Sequence, residues 1–100
     1  MFLVSTVTYP PSSSIEMGRK FTKAMETPLP AFLKRVNVLG TTAGELGIKV
    51  YGIYEVDDDK VTEAIKELTK YYVQFFGVEG FRYDVEHMLA AEEALPLLGL

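Results

Sequence analysis

The stretch Gly47–Val56, GIKVYGIYEV, decides how the rest of this chain is arranged. β-branched and tyrosine side chains dominate it and proline is absent, a composition that favours a β-strand. Bulky residues fall on both of its faces, Ile48 and Tyr54 on one and Tyr51 and Ile53 on the other. Because a strand with two apolar faces usually lies inside a sheet covered on both sides, we expect one face to meet helices and the other to meet a second layer.

Length and composition limit the class of protein. The 100 residues are enough for one domain with a single core, and an apolar fraction of 48% excludes a disordered chain. A formal charge of −4 argues against affinity based on phosphate contacts, so we expect no nucleic-acid partner. There is no cysteine and only one histidine, His87, whereas catalytic zinc usually has three protein ligands. We therefore expect neither a metal nor a cofactor.

The sequence also indicates where the protein resides. Residues Met1–Tyr9 carry neither the basic region nor the small-residue cleavage site of a signal peptide. No apolar run approaches the roughly 20 residues of a membrane span. We expect a cytoplasmic protein without a membrane partner.

The remaining strands and the first helix follow from local signals. We predict strands at Met1–Tyr9, at Phe32–Thr42 and at Phe81–Met88, with Gly44–Gly47 as the turn that leads into the central strand. A helix should begin after Ser13, which forms a capping box with Glu16. Its apolar stripe comprises Ile15, Gly18, Phe21 and Met25, and the segment Thr27–Pro30 ends it.

A second, longer helix is predicted between Asp57–Asp59 and Gly77. Acidic residues stabilise the positive end of the helix dipole, and we prefer this interpretation of the three aspartates to a cation site. The apolar stripe of this helix comprises Val61, Ala64, Ile65, Leu68, Tyr72, Phe75 and Phe76. Residues Leu89–Leu100 form an apolar C-terminal tail with one helical turn before Pro96.

The order β-α-β-β-α-β predicts one α+β domain over residues 1–100. Its fold class is ferredoxin-like, a four-stranded antiparallel sheet with both helices on one face. Alternation places Val36, Val38, Ile48, Val50, Tyr54, Val56, Phe81, Tyr83, Val85 and His87 on the helix side. It places Arg35, Asn37, Leu39, Lys49, Tyr51, Ile53, Glu55, Arg82, Asp84 and Glu86 on the opposite side. For the first strand either set, Phe2 and Val4 or Leu3 and Val7, could face the helices.

The uncovered face mixes leucine, isoleucine and tyrosine with arginine and carboxylates, which suits a sheet closed against a second copy. With the element order, the length and the apolar tail, the chain resembles the dimeric α/β-barrel proteins. In that superfamily two sheets pack face to face in a homodimer, and members include cofactor-independent monooxygenases and isomerising enzymes. The resemblance therefore implies a homodimer that binds a small molecule between or beside its sheets, or a cofactor-free monooxygenase or isomerase with an inter-subunit cavity.

Two sets of residues are predicted to serve these roles. Guanidinium and phenol groups suit an anionic or aromatic ligand, so we expect ligand contacts from Arg35, Tyr51, Arg82 and Glu86. Alternatively, both arginines pair with Glu55, Asp84 and Glu86 across the strands. The predicted dimer interface comprises Leu39, Tyr51, Ile53, Leu97 and Leu98.

Two further patterns point to other functions. Lys49, Tyr51 and Gly52 match the strand signature of RNA-recognition motifs, but Ile53 and Val56 replace the aromatic residues that stack on bases. An RNA-binding module is therefore an alternative that we rank below small-molecule binding. His87 is the one candidate general base, and its predicted place on the helix side favours an ordinary strand residue.

Overall fold

Four strands and two long helices follow one another in the predicted order. The computed structural model describes residues 1–41 and 47–100. The strands are β1 (Phe2–Tyr9), β2 (Leu33–Gly40), β3 (Ile48–Val56) and β4 (Arg82–Met88), and the helices are α1 (Ser14–Ala24), α2 (Val61–Val73) and the short α3 (Ala91–Ala94). Turns of 3₁₀ helix lie at Pro11–Ser13, Asp58–Lys60 and Leu95–Leu98. The predicted turn at 44–46 and the predicted strand end at Thr42 lie outside the described residues.

The strands form one sheet in the order β2-β3-β1-β4, and each neighbouring pair is antiparallel. The α+β class and the four-stranded antiparallel sheet are therefore confirmed. β3 occupies an inner position between β2 and β1, as its two apolar faces predict. Because β1 is the other inner strand, its register with β3 and β4 decides which side chains share a face.

The core lies between one face of the sheet and the two long helices. Leu3, Ser5 and Val7 of β1 are buried, and the intervening residues of β1 are not, which resolves the ambiguity of this strand. The same buried cluster contains Met17 of α1 and Leu68 of α2. Phe2, Val4, Thr6 and Thr8 therefore point to the side of the sheet away from this core.

The buried stripe of α2 agrees with the prediction at its centre and differs at its flanks. Leu68 is fully buried, and Ala64, Tyr71, Tyr72 and Phe75 are buried around it. The predicted members Ile65 and Phe76 are 40% and 55% exposed. At about 100° per residue Ile65 lies at the edge of the face centred on Leu68, and Phe76 lies beyond Val73, where α2 ends.

The predicted stripe of α1 is wrong. Ile15 and Met25 are exposed, and the helix instead buries Met17 and Ala24, with Phe21 partly buried beside them. Met17, Phe21 and Ala24 repeat at intervals of four and three residues, which is also a helical stripe. The few apolar residues of this short helix fit both faces, and packing against the sheet selects the second.

The predicted capping box at the start of α1 is also wrong. Ser13 is the residue that precedes the helix, but its side chain makes no capping hydrogen bond. Its Oγ instead donates to the carbonyl oxygen of Glu79 at 2.7 Å. Ser13 thus joins the beginning of α1 to the segment that leads into β4.

A β-bulge interrupts β2. Arg35 pairs with Tyr54 and Asn37 pairs with Ile53, so Val36 has no opposite residue in β3. One extra residue changes the side on which the residues before it lie, whereas Asn37, Val38 and Leu39 after it lie on the predicted sides. Arg35 consequently lies on the helix side, whereas Val36, which was predicted to face the helices, is 49% exposed.

The C-terminal tail adds little to the core. One turn of helix precedes Pro96, as predicted, and the leucines of the tail remain exposed, Leu97 and Leu98 by about three quarters. The radius of gyration is 14.9 Å, larger than the roughly 13 Å of a compact chain of this length. The tail therefore presents apolar surface that the described part of the chain does not bury.

Candidate functional site

We call the side of the sheet away from the core the open face. The strand register places four rows of residues across it. From one end to the other the rows are Lys49, Thr8 and Arg82; then Leu39, Tyr51, Thr6 and Asp84; then Asn37, Ile53, Val4 and Glu86; then Lys34, Glu55, Phe2 and Met88. Three of the four predicted ligand residues and three of the five predicted interface residues lie here.

The centre of the open face is apolar. Ile53 lies directly opposite Val4, and Tyr51 and Leu39 are paired in the adjacent row. Leu39 is 51% exposed, although it is a large apolar residue of a strand. These four side chains form a continuous apolar strip that crosses β2, β3 and β1.

Charges of both signs surround this strip. Lys34, Lys49 and Arg82 carry positive charge, and Glu55, Asp84 and Glu86 carry negative charge. The open face therefore has a formal charge near zero, whereas the chain carries −4. The ion pairs among the described residues join the N-terminus to Asp58 and Lys70 to Glu67, so Arg82 does not pair with the carboxylates of its own sheet.

Arg35 does not join the other predicted ligand residues. Its guanidinium lies 5.4 Å from the ring centre of Tyr71 and 5.7 Å from that of Tyr54. Nε and Nη2 are buried, and within the described structure they have no hydrogen-bond partner; the same holds for the hydroxyl of Tyr71. Arg35 therefore packs by cation–π contact between β2 and α2, on the side of the sheet away from Tyr51, Arg82 and Glu86.

The remaining three predicted ligand residues share the open face but not a single contact. Arg82 is opposite Thr8, Tyr51 is opposite Thr6, and Glu86 is opposite Val4. Tyr51 and Arg82 thus lie in adjacent rows with β1 between them, and Glu86 lies one row beyond Tyr51. Only Tyr51 and Arg82 are placed to contact the same small molecule.

A depression of about 800 Å³ lies at the end of the open face that holds Lys49 and Arg82. Thr6, Thr8, Tyr9, Pro10 and Pro11 line it together with the two cations. Two glycines with positive φ, Gly47 and Gly80, complete the lining. The sequence prediction missed Lys49 and the threonines as site residues, because only the register of three strands brings them together.

Close contacts with Tyr9 and Pro10 require these two glycines. A Cβ atom at Gly47 would lie 2.6 Å from the carbonyl oxygen of Tyr9, and one at Gly80 would lie 2.5 Å from Cδ of the Pro10 ring. The φ angles of +99° and +75° also belong to the region that glycine adopts most readily. The segments around the depression therefore approach each other more closely than a residue with a Cβ atom would permit at either position.

On the core side, hydroxyl groups cluster around Gly52. Ser5 Oγ is 2.6 Å from Tyr72 Oη, which lies 3.2 Å from Tyr54 Oη. Burial raises the pKa of Tyr72 well above its ordinary value, and the neighbouring Tyr54 adds to this shift. A cavity of about 20 Å³ adjoins the cluster, room for about one water molecule. The hydroxyl groups are bonded to one another, which suits a structural network rather than a reactive one.

The other candidate groups lie away from the open face or lack partners for chemistry. His87 is exposed, opposite Leu3 on the helix side of the sheet, with Nε2 3.2 Å from Sδ of Met1. Val56, one of the positions where an RNA-recognition motif carries a ring, is buried in the core. Within the described part of the chain, no three His, Asp or Glu side chains come close enough to hold a metal ion.

Comparisons with known proteins add a structural likeness. No protein-family model and no curated protein matches the chain. Among solved structures the fold is similar to the C-terminal domain of the MgtC protein from Mycobacterium tuberculosis, at 10% sequence identity and a TM-score of 0.46 over 90% of each chain. In residues 1–41 and 47–100, no helix has the length and apolar character that crossing a bilayer requires. The function therefore has to be inferred from the residues of this chain.

Proposed function

We propose that the protein is a ferredoxin-like domain of the dimeric α/β-barrel type, which forms a homodimer through its open face and binds a small molecule beside or between the two sheets. The observation that carries this proposal is the apolar strip of Leu39, Tyr51, Ile53 and Val4. Both long helices bury their apolar residues on the other side of the sheet. Apolar surface of this extent usually marks an interface.

A second copy is the partner that the charges favour. The chain carries −4, so two copies repel each other over most of their surface. The open face is locally neutral and contains both signs, so it can meet a copy of itself with cations near carboxylates. A two-fold axis lets the one apolar strip serve both subunits.

The size of the contact explains the role that we assign to the tail. Four strands about 4.8 Å apart and about eight residues long give a flat area of roughly 500 Å². A stable interface usually takes about 800 Å² from each partner, so the open face alone is small. Leu97 and Leu98 are 76% and 75% exposed and supply further apolar area. We propose that the tail packs against the partner subunit.

The measurement that tests the dimer is light scattering coupled to size exclusion at micromolar concentration. We expect twice the chain mass for the native protein. Ile53→Asp should give a monomer or an aggregate, because it places a carboxylate at the centre of the contact without a partner charge. Ile65→Asp is the matched control, since Ile65 is partly exposed on α2 and away from the open face. A native protein that elutes as a stable monomer would contradict the proposal.

The cofactor-free monooxygenase or isomerase that the resemblance implies would use the same inter-subunit cavity, and it stays a prediction. The predicted interface of Leu39, Tyr51, Ile53, Leu97 and Leu98 and the cytoplasmic location also stay predictions.

A further inference from the structure

We propose that the depression around Thr8 is an anion-binding site, with Lys49 and Arg82 as its cations, and that the small molecule bound by this protein carries a carboxylate or phosphate group there. This inference names the ligand class for the small-molecule binding proposed above and rests on that part of the proposal. It does not depend on the dimer.

Two cationic side chains flank one threonine at the end of the open face. Thr8 of β1 is paired with Lys49 on one side and with Arg82 on the other, so the two cations flank one threonine in a single row. Strands lie about 4.8 Å apart, which places the two Cα atoms about 10 Å from each other. Both side chains are long enough to reach one small anion above Thr8, and the threonine hydroxyl can donate to it from below.

Lys49 and Arg82 have no carboxylate partner within the described structure. The ion pairs found there do not include Lys49 or Arg82. Lys49 Nζ lies instead 5.8 Å from the ring centre of Tyr51. On a chain of charge −4, two cations that flank one threonine and pair with no carboxylate of the described residues form a local exception, and they favour an anionic ligand.

The lining of the depression combines apolar and polar surface. Tyr9, Pro10 and Pro11 contribute apolar surface to the depression, and Thr6 and Thr8 contribute hydroxyl groups. A ligand with a charged end and an apolar or aromatic body would satisfy both parts. Asp84 lies two residues from Arg82 on the same face and opposes the anion, so it limits the affinity.

The experiment is a titration of ¹⁵N-labelled protein followed by amide chemical shifts, with the mass in the same buffer measured by light scattering. The probes are benzoate, inorganic phosphate and the neutral analogue benzamide. We expect one anion or both to shift the amides of Thr8, Lys49 and Arg82 saturably, with a Kd of about 1 to 10 mM for ligands this small. Benzamide should leave these amides unshifted. Saturation by benzoate alone indicates that the site needs the apolar body, and saturation by phosphate alone indicates that the charge suffices.

Variants separate the site from general charge effects. Lys49→Met and Arg82→Gln should each raise the Kd about fivefold, and Lys49→Arg should restore most of the binding. Lys66→Met makes the same charge change on α2 and should leave the Kd unchanged. Asp84→Asn should lower the Kd about twofold.

Two results would overturn the inference. One is the absence of saturable shifts at these amides with both anions; if Lys49→Met then also loses the dimer, the cations belong to the subunit contact. The other is equal weakening of anion binding by Lys66→Met and Lys49→Met. A dimer that binds no anion refutes this inference alone, and a monomer that binds benzoate refutes the dimer alone.

Discussion

The hydroxyl groups of Ser5 and Tyr72 lie 2.6 Å apart in the buried layer between β1 and α2. Both side chains are almost completely buried, and Ser5 Oγ has only a long second contact, 3.5 Å to the carbonyl oxygen of Gly52. A buried hydroxyl that loses its partner keeps its desolvation cost. The hydrogen bond between these two hydroxyl groups therefore links β1 to α2, and its loss should lower the free energy of unfolding more than the loss of an exposed hydrogen bond would.

Removal of either hydroxyl should destabilise the protein, and removal of both should cost less than the sum. We expect Tyr72→Phe and Ser5→Ala each to lower the free energy of unfolding by about 1 to 3 kcal/mol, with a coupling of at least 0.5 kcal/mol in the double variant. Urea unfolding measures all three. Thr22→Ala, which removes an exposed hydroxyl bonded to the Gly18 carbonyl, should change stability by less than about 0.5 kcal/mol. Additive losses would show that the two hydroxyls do not depend on each other.

Tyr71 should make stability fall at alkaline pH. Burial raises the pKa of Tyr71 to about 12, while the Arg35 guanidinium partly opposes this shift. The unfolded chain loses this proton at about pH 10, so the contribution is complete below pH 10 and is lost between pH 10 and 12 as pH rises. Relative to Tyr71→Phe, the native protein should lose about 2 kcal/mol over that interval in urea unfolding. A constant difference between the two proteins from pH 9 to 12 would be evidence against this titration.

Leu68 should be one of the most sensitive core positions, because its side chain is fully buried. Leu68→Ala should lower the free energy of unfolding by about 2 to 5 kcal/mol through lost burial and the cavity left behind. Ile65→Ala, one turn away on the same helix and 40% exposed, should cost clearly less. A cost below about half a kcal/mol at Leu68 would contradict its place in the core.

Single-stranded RNA should not bind at physiological salt. Tight binding of nucleic acid requires several phosphate contacts and stacking rings. The open face offers three cations offset by three carboxylates, and its two rings, those of Tyr51 and Phe2, lie two rows apart. Fluorescence anisotropy with a labelled oligonucleotide at about 0.15 M salt measures this. Micromolar, salt-sensitive binding that Tyr51→Ala abolishes would instead place RNA binding first among the functions.

The elements with the densest apolar patterns are those that the sequence predicts well. β3 is identified as an inner strand by Tyr51, Ile53 and Tyr54, because bulky side chains on both faces of a strand favour an inner position in a sheet. Leu68 is predicted correctly because it lies at the middle of a long stripe, where an error of one residue in phase matters least. The short α1 has too few apolar residues to fix its phase, and Ile15 was assigned to the wrong face for that reason.

The bulge and the anion site are properties of pairing rather than of local sequence. Neither glycine nor proline marks the bulge at Val36, so simple alternation placed Arg35 on the open face. The row of Lys49, Thr8 and Arg82 needs the register of three strands, since Lys49 and Arg82 lie 41 and 74 residues from Thr8 along the chain. Local periodicity contains no information on that register.

The bulge in β2 also determines how the sheet can grow. β2 is an edge strand, and an unbroken edge is a template for an added strand and for fibril formation. Here the ladder is interrupted at Val36, and the next residues do not offer all of their donors, since the Val38 amide already donates to Oδ1 of Asn37 at 2.9 Å. A foreign strand would find only a short run of pairing sites on this side. Association by edge extension is thereby disfavoured at β2, so a strand could be added to this sheet more easily at its other edge, β4.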